Sequence, residues 1–154
     1  MQGKKIVIPN EAQQSLDCYT RGKVLSPDSR YLVYDPLPAL KLYDFATKET
    51  ATLMTFFDTT EGLHCVWHEN NALLACLAVN QTGYEGRTKI FVLTIIDGKL
   101  TDKKTFPQTP STTADYTVGA NTSPGDLRFL NDHMLEYGAH PEFVAEDTVF
   151  TVAW

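Results

Sequence analysis

The side chains best placed for chemistry are two cysteines, Cys65 and Cys76, in the run His64-Cys65-Val66-Trp67-His68-Glu69-Asn70-Asn71-Ala72-Leu73-Leu74-Ala75-Cys76. If Asn70-Asn71 is a two-residue turn, Cys65 and Cys76 stand opposite one another on antiparallel strands. Their Cβ atoms then lie within reach of a disulfide. A longer turn shifts the register and leaves two buried apolar thiols, the ordinary fate of free cysteine. The third cysteine, Cys18, makes the total odd, so a multi-disulfide framework is not expected. A Cys65–Cys76 bond implies an oxidising compartment.

Other constellations carry less. His64 and His68 share a strand face, but Cys65 points the other way and no third ligand is close, so a surface or edge pair is expected rather than a metal site. His133, Glu136 and His140 have a spacing that suits a helix, whereas this stretch reads as strand and turn, which scatters the three groups. There is no G-x-S-x-G elbow and no cysteine–histidine arrangement on a helical scaffold. Asp58 and Glu61 read as solvated turn residues. Thr82-Gly83-Tyr84-Glu85-Gly86-Arg87 lacks phosphate-loop spacing and a following helix. No catalytic residue, metal or cofactor is assigned.

The elements that position these groups are strands. In 154 residues, 43% are hydrophobic and 21% charged, which fits one globular domain over 1–154. Gly22–Leu25 leads through Ser26-Pro27-Asp28-Ser29 into Arg30–Tyr34, a strand, tight turn and strand. Leu40–Asp44 and Thr50–Met54 complete a four-strand meander. Shifted by 42 residues, His64–Cys76 lies on Gly22–Tyr34 without a gap, with Trp67 on Leu25, Asn70 on Asp28 and Leu74 on Leu32. Lys89–Ile96 and Lys99–Phe106 follow, joined by Asp97-Gly98, a strong hairpin signal. A weaker third copy runs from Leu127 to Trp154 and lacks a fourth strand, which an N-terminal strand over 4–8 is expected to supply. The units span about 20–58, 61–106 and 125–154. A short turn of helix is expected near Glu11–Leu16, and 107–125 reads as a long loop. The expected fold is all-β, with blade-like antiparallel meanders in a partial or small propeller, or alternatively a twisted sandwich.

Leu25-Ser26-Pro27-Asp28-Ser29-Arg30-Tyr31-Leu32-Val33-Tyr34, followed by Leu42-Tyr43-Asp44-Phe45-Ala46-Thr47-Lys48-Glu49, resembles the WD40-like propeller repeat of the TolB type. That repeat pairs an S-P-D-G turn with a Y-D-x-x-T-G-K hairpin. Here Ser29 stands at the first glycine, and none separates Thr47 from Lys48. The resemblance is good over the first unit, weaker over the second and weakest over the third. It implies architecture and little about activity, and three units are fewer than the roughly four of a closed propeller. Gly22, Val24, Ser26, Asp28, Tyr43, Asp44, Ala46 and Thr47 also make the chain similar to periplasmic immunity proteins that neutralise type VI secretion amidase effectors. That resemblance implies an inhibitor of a secreted cell-wall amidase.

The connections between the second and third strands of successive units are the expected recognition elements. The first contains Tyr34, Asp35, Pro36, Leu37 and Pro38, and its prolines lower the ordering cost of binding. The second contains Tyr84, Glu85 and Arg87. Tyrosine and arginine are frequent at interface hot spots, and loops on rigid β scaffolds often bind. Equivalent connections should project from one end of the molecule. The net charge of −6 disfavours nucleic acid and favours a protein partner with a basic face. No apolar run reaches the roughly 20 residues of a membrane span. The N-terminal apolar run is too short for a secretory leader, so the compartment is cytoplasmic, or periplasmic if a leader has been removed. The function expected is a non-catalytic protein-binding module; the alternative is a structural propeller-like repeat or oligomer component, and a hydrolase with an unrecognised site ranks last.

Overall fold

The computed structural model describes residues 7–14, 23–36, 39–55, 60–80, 89–107, 127–139 and 148–154. The described residues are all-β apart from one short helix, α1 (Asn10–Gln14). Three antiparallel sheets follow one another along the chain. The first contains β1 (Val24–Leu25), β2 (Tyr31–Tyr34), β3 (Ala39–Asp44) and β4 (Glu49–Thr55), and the second β5 (Thr60–Trp67), β6 (Leu73–Asn80), β7 (Lys89–Ile96) and β8 (Lys99–Pro107). Both are simple meanders. The third has the order β11-β10-β9, from β9 (Leu127–Asn131), β10 (Met134–Ala139) and β11 (Thr148–Ala153).

The tight turns show why the sequence repeats. Ser26 N–H bonds Tyr31 O at 2.9 Å, and Ser29 N–H bonds Ser26 O at 2.8 Å. Forty-two residues on, His68 N–H bonds Leu73 O at 2.8 Å and Asn71 N–H bonds His68 O at 3.1 Å. In each turn an Asx side chain accepts the amide two residues ahead: Asp28 Oδ1 from Arg30 at 3.0 Å, Asn70 Oδ1 from Ala72 at 2.9 Å, and Asn131 Oδ1 from His133 at 2.8 Å. The carbonyl of that third residue then accepts an N–H from the end of the third strand. Phe45 donates to Arg30 O, Ile95 to Ala72 O and Trp154 to His133 O, at 2.9, 2.7 and 3.1 Å. The three sheets thus share this Asx bond and this bond from the third strand.

Ser29 and Asn71 both sit at positive φ, 61° and 59°, as does Lys48 at 62°. Glycine is the residue for which that conformation carries no steric cost, and none of these three positions has it. Asp97 (φ 48°) and Gly98 (φ 74°) are both left-handed, as a two-residue type I′ hairpin requires.

Alternation along the strands divides the interior. Tyr31, Val33, Leu40 and Leu42 of the first sheet meet Cys65, Leu74, Cys76, Phe91, Leu93 and Ile95 of the second in one core. The opposite face of the second sheet, through Ala75, Leu77, Ile90 and Val92, packs on Leu127, Leu135 and Tyr137 of the third. The second sheet is covered on both faces, so its strands read as nearly continuous apolar runs such as Leu73-Leu74-Ala75-Cys76-Leu77. First strands lie beside first strands, β1 near β5 and β5 near β9, while β4 lies near β8.

The N-terminal segment departs from expectation. Val7–Pro9 form no strand, and Ile8 packs with Ala12 against Leu32 and Tyr34 on the outer face of the first sheet. An apolar side chain there gains more by covering Leu32 and Tyr34 than by extending the third sheet. Residues 4–6 lie outside the described residues. β11 is therefore the outer edge of a three-stranded sheet among the described residues. Its sequence, Thr-Val-Phe-Thr-Val-Ala, has no charge, unlike β8 with Lys99, Asp102, Lys103 and Lys104.

Candidate functional site

Cys65 and Cys76 are direct cross-strand partners, with Cα atoms 4.1 Å apart, and they form a disulfide. The loop runs from Glu69 to Ala72 rather than as a two-residue turn. It keeps the same register because His68 and Leu73 close it symmetrically. Both cysteines are buried in the core between the first and second sheets.

The end of the stack that carries the tight turns is cross-linked from sheet to sheet. Asp28 N–H donates to Asn71 Oδ1 at 2.9 Å, and the Trp67 indole N–H to Val24 O at 3.4 Å. Tyr31 and Trp67 stack with centroids 6.2 Å apart, and the Arg30 guanidinium lies over Tyr31 at 4.8 Å. Arg30 also bonds Asp44 at 3.1 Å. Burial alone would raise the Asp44 pKa, but the Arg30 guanidinium and the Ala46 amide outweigh it and hold the group below the usual carboxylate value. Asp28 is held low as well, first by the Ser26 hydroxyl and then by the Arg30 amide.

His68 joins the second turn to the third. Its Nδ1 accepts the Asn70 N–H at 3.1 Å, which leaves the proton on Nε2, 3.2 Å from Asp132 Oδ1. The Phe129 ring meets the imidazole edge to face at 4.9 Å. His68 thus follows the edge strand β5, as one of the two expected alternatives has it, but it is buried and bonded at both ring nitrogens rather than at the surface. The 42-residue shift places it over Ser26, whose hydroxyl accepts the Tyr31 amide at 2.9 Å, so each caps its own turn. Beside His68, a cleft of about 1190 Å³ opens between the β5–β6 and β9–β10 turns, with Trp67, Phe129 and Trp154 along its walls.

Comparison with family models, curated proteins and solved structures finds no match. The site therefore rests on its own geometry. Among the described residues no group of three or more metal-ligating side chains comes together. Glu136 bonds Arg128 at 2.6 Å and His133 is exposed, while His140 lies outside the described residues.

The opposite end carries the nominated connections. The tight turns of the first and second sheets face each other, so the far ends of β2 and β3 lie at the same end of the stack as those of β6 and β7. Leu37, Pro38, Tyr84, Glu85 and Arg87 are outside the described residues. Pro36 is half-buried. Tyr34 and Asp35 are buried, at 0% and 1% exposure, and Ala12 of α1 and Ile8 cover the Tyr34 face of β2. Neither side chain is displayed to a partner as the sequence led us to expect.

Asp35 is unusual in another way. Among the described residues neither of its carboxylate oxygens has a hydrogen-bond partner, and the same holds for the Tyr34 hydroxyl. Desolvation pushes the Asp35 pKa up to about 6, against smaller opposing effects of its own amide and Lys23. A carboxyl that binds its proton more tightly folded than unfolded supports the fold fully below the unfolded value near 3.8, and that support is lost as pH rises through about 6. We expect stability to fall by ~2 kcal/mol between about pH 4 and 7, and Asp35→Asn to flatten this slope in urea titrations. An unchanged slope would mean that Asp35 is hydrated or paired.

Proposed function

We propose that this chain is a non-catalytic protein-binding module, a partial propeller that presents its second-to-third-strand connections to a partner with a basic face. The observation that carries this reading is that the strand ends flanking residues 35–38 and 81–88 share one end of the stack of the first two sheets. The chain's charge of −6 favours a basic partner through the overall field. The similarity to amidase immunity proteins extends the reading to an inhibitor that blocks a secreted cell-wall amidase. The Cys65–Cys76 bond fits the oxidising periplasm where such an inhibitor would act.

The test is replacement of Pro36-Leu37-Pro38 or Tyr84-Glu85-Gly86 by glycine and serine. A toxin encoded beside this chain's gene is the first partner to titrate by calorimetry. We expect the unfolding midpoint to be nearly unchanged and affinity to fall about tenfold or more, as when hot-spot side chains are removed. Unchanged affinity in both swaps would remove the reading. A second reading, a structural repeat that assembles with further strands, is favoured by the uncharged outer edge at β11. Concentration-dependent mass in sedimentation, abolished by Thr151→Lys, is its signature.

A further inference from the structure

We propose that the cleft between the β5–β6 and β9–β10 turns captures an arginine side chain from a protein partner. The inference shares with the proposed function a basic protein partner, and it assigns that partner a second contact, at the end of the stack opposite the second-to-third-strand connections.

The walls are aromatic and already fixed. Trp67 is held by its bond to Val24 O and by stacking on Tyr31. Phe129 meets His68 and Trp154 edge to face, at 4.9 and 6.1 Å. Little ordering cost remains when a ligand enters such a site. The mouth is acidic. Glu69 is exposed, and Asp132 keeps 65% of its side chain in solvent while accepting from His68. Among the described residues along the cleft, Arg128 is the one arginine or lysine and is bonded to Glu136 at 2.6 Å, so its charge is offset, while His68 is bonded to Asp132 and His133 is exposed.

Aromatic side chains beside exposed carboxylates complement a cation on an apolar stem. Guanidinium fits better than ammonium, because it is planar and weakly hydrated. It can stack on a ring while its N–H groups bond a carboxylate. A volume of about 1190 Å³ leaves room for the flanking backbone of the segment that carries it.

Both tryptophans of the chain line this cleft, so intrinsic fluorescence reports its occupation directly. The probe is a short Gly-Arg-Gly-Arg-Gly peptide titrated into the intact protein, with lysine and glutamate versions alongside. We expect a saturable fluorescence change with the arginine peptide, a weaker one with lysine and none with glutamate. The change should vanish at about 1 M salt, where the screening length falls to ~3 Å. Glu69→Gln and Asp132→Asn should each weaken binding about threefold, and both should fold normally. The asparagine still accepts from His68. No saturable change, an equal response to the glutamate peptide, or affinity indifferent to both substitutions would overturn the proposal. A response that survives high salt would also overturn it and point to an uncharged ligand such as a saccharide. The titration needs no partner protein, so its failure is separable from failure of the loop replacements.

Discussion

Replacing Cys65 and Cys76 together by alanine is expected to lower the unfolding free energy by ~3 kcal/mol, measured by urea denaturation. The two residues are separated by 11 positions. Cross-linking a loop of that size removes ~3 kcal/mol of chain entropy from the unfolded state in the loop-closure account. Both side chains are buried in the core between the first two sheets, so their truncation adds a packing loss to the entropic one. Reductant should reproduce most of the effect in the wild-type chain, and only as fast as the chain opens, because both cysteines are buried in the closed fold. A midpoint indistinguishable from wild type would mean that the bond does not form in solution.

Leu74→Ala should cost about 3–4 kcal/mol in the same experiment, close to the range for fully buried leucines whose surroundings relax only partly. Leu74 is 0% exposed, its backbone pairs with Trp67 on one side and Leu93 on the other, and it shares its core with Tyr31, Val33 and Leu42. Leu130→Ala is the control. Leu130 is 42% exposed on the third sheet, and its truncation should stay within about 0.5 kcal/mol. A Leu74→Ala variant as stable as the control would mean that the first two sheets do not pack as described.

The β architecture was legible because its signals are local. Pro27-Asp28-Ser29, Asp97-Gly98 and the alternation in Leu40–Asp44 set turn and strand geometry within a few residues. The register that joins Cys65 to Cys76 followed from centring the turn on Asn70-Asn71, and the longer loop closed by His68 and Leu73 keeps that centre. What was hidden depends on contacts distant in sequence. Nothing beside Asp35 foretells that α1 will cover its strand, and a Pro-flanked acid reads naturally as exposed. His68 looked like a surface residue because its partners, Asp132 and Phe129, come from a sheet some sixty residues further on. The signal that could have found it was available: the shift laid His68 over Ser26, a turn-capping position. The cleft was invisible for the same reason, since Trp67 and His68 on one side and Phe129 and Trp154 on the other line it only once the second and third sheets stack.

The second sheet is a party wall, and that bears on how the molecule comes apart. In most repeat arrays each unit leans on its neighbours and can fray from an end. Here Phe91 and Leu93 serve one interior while Ile90 and Val92, on the same strand, serve the other. Peeling away either flanking sheet strips one side of that strand to water. Melting should therefore be a single concerted event, and no trimmed version that keeps the middle unit but drops a neighbour should stay soluble without a replacement cover.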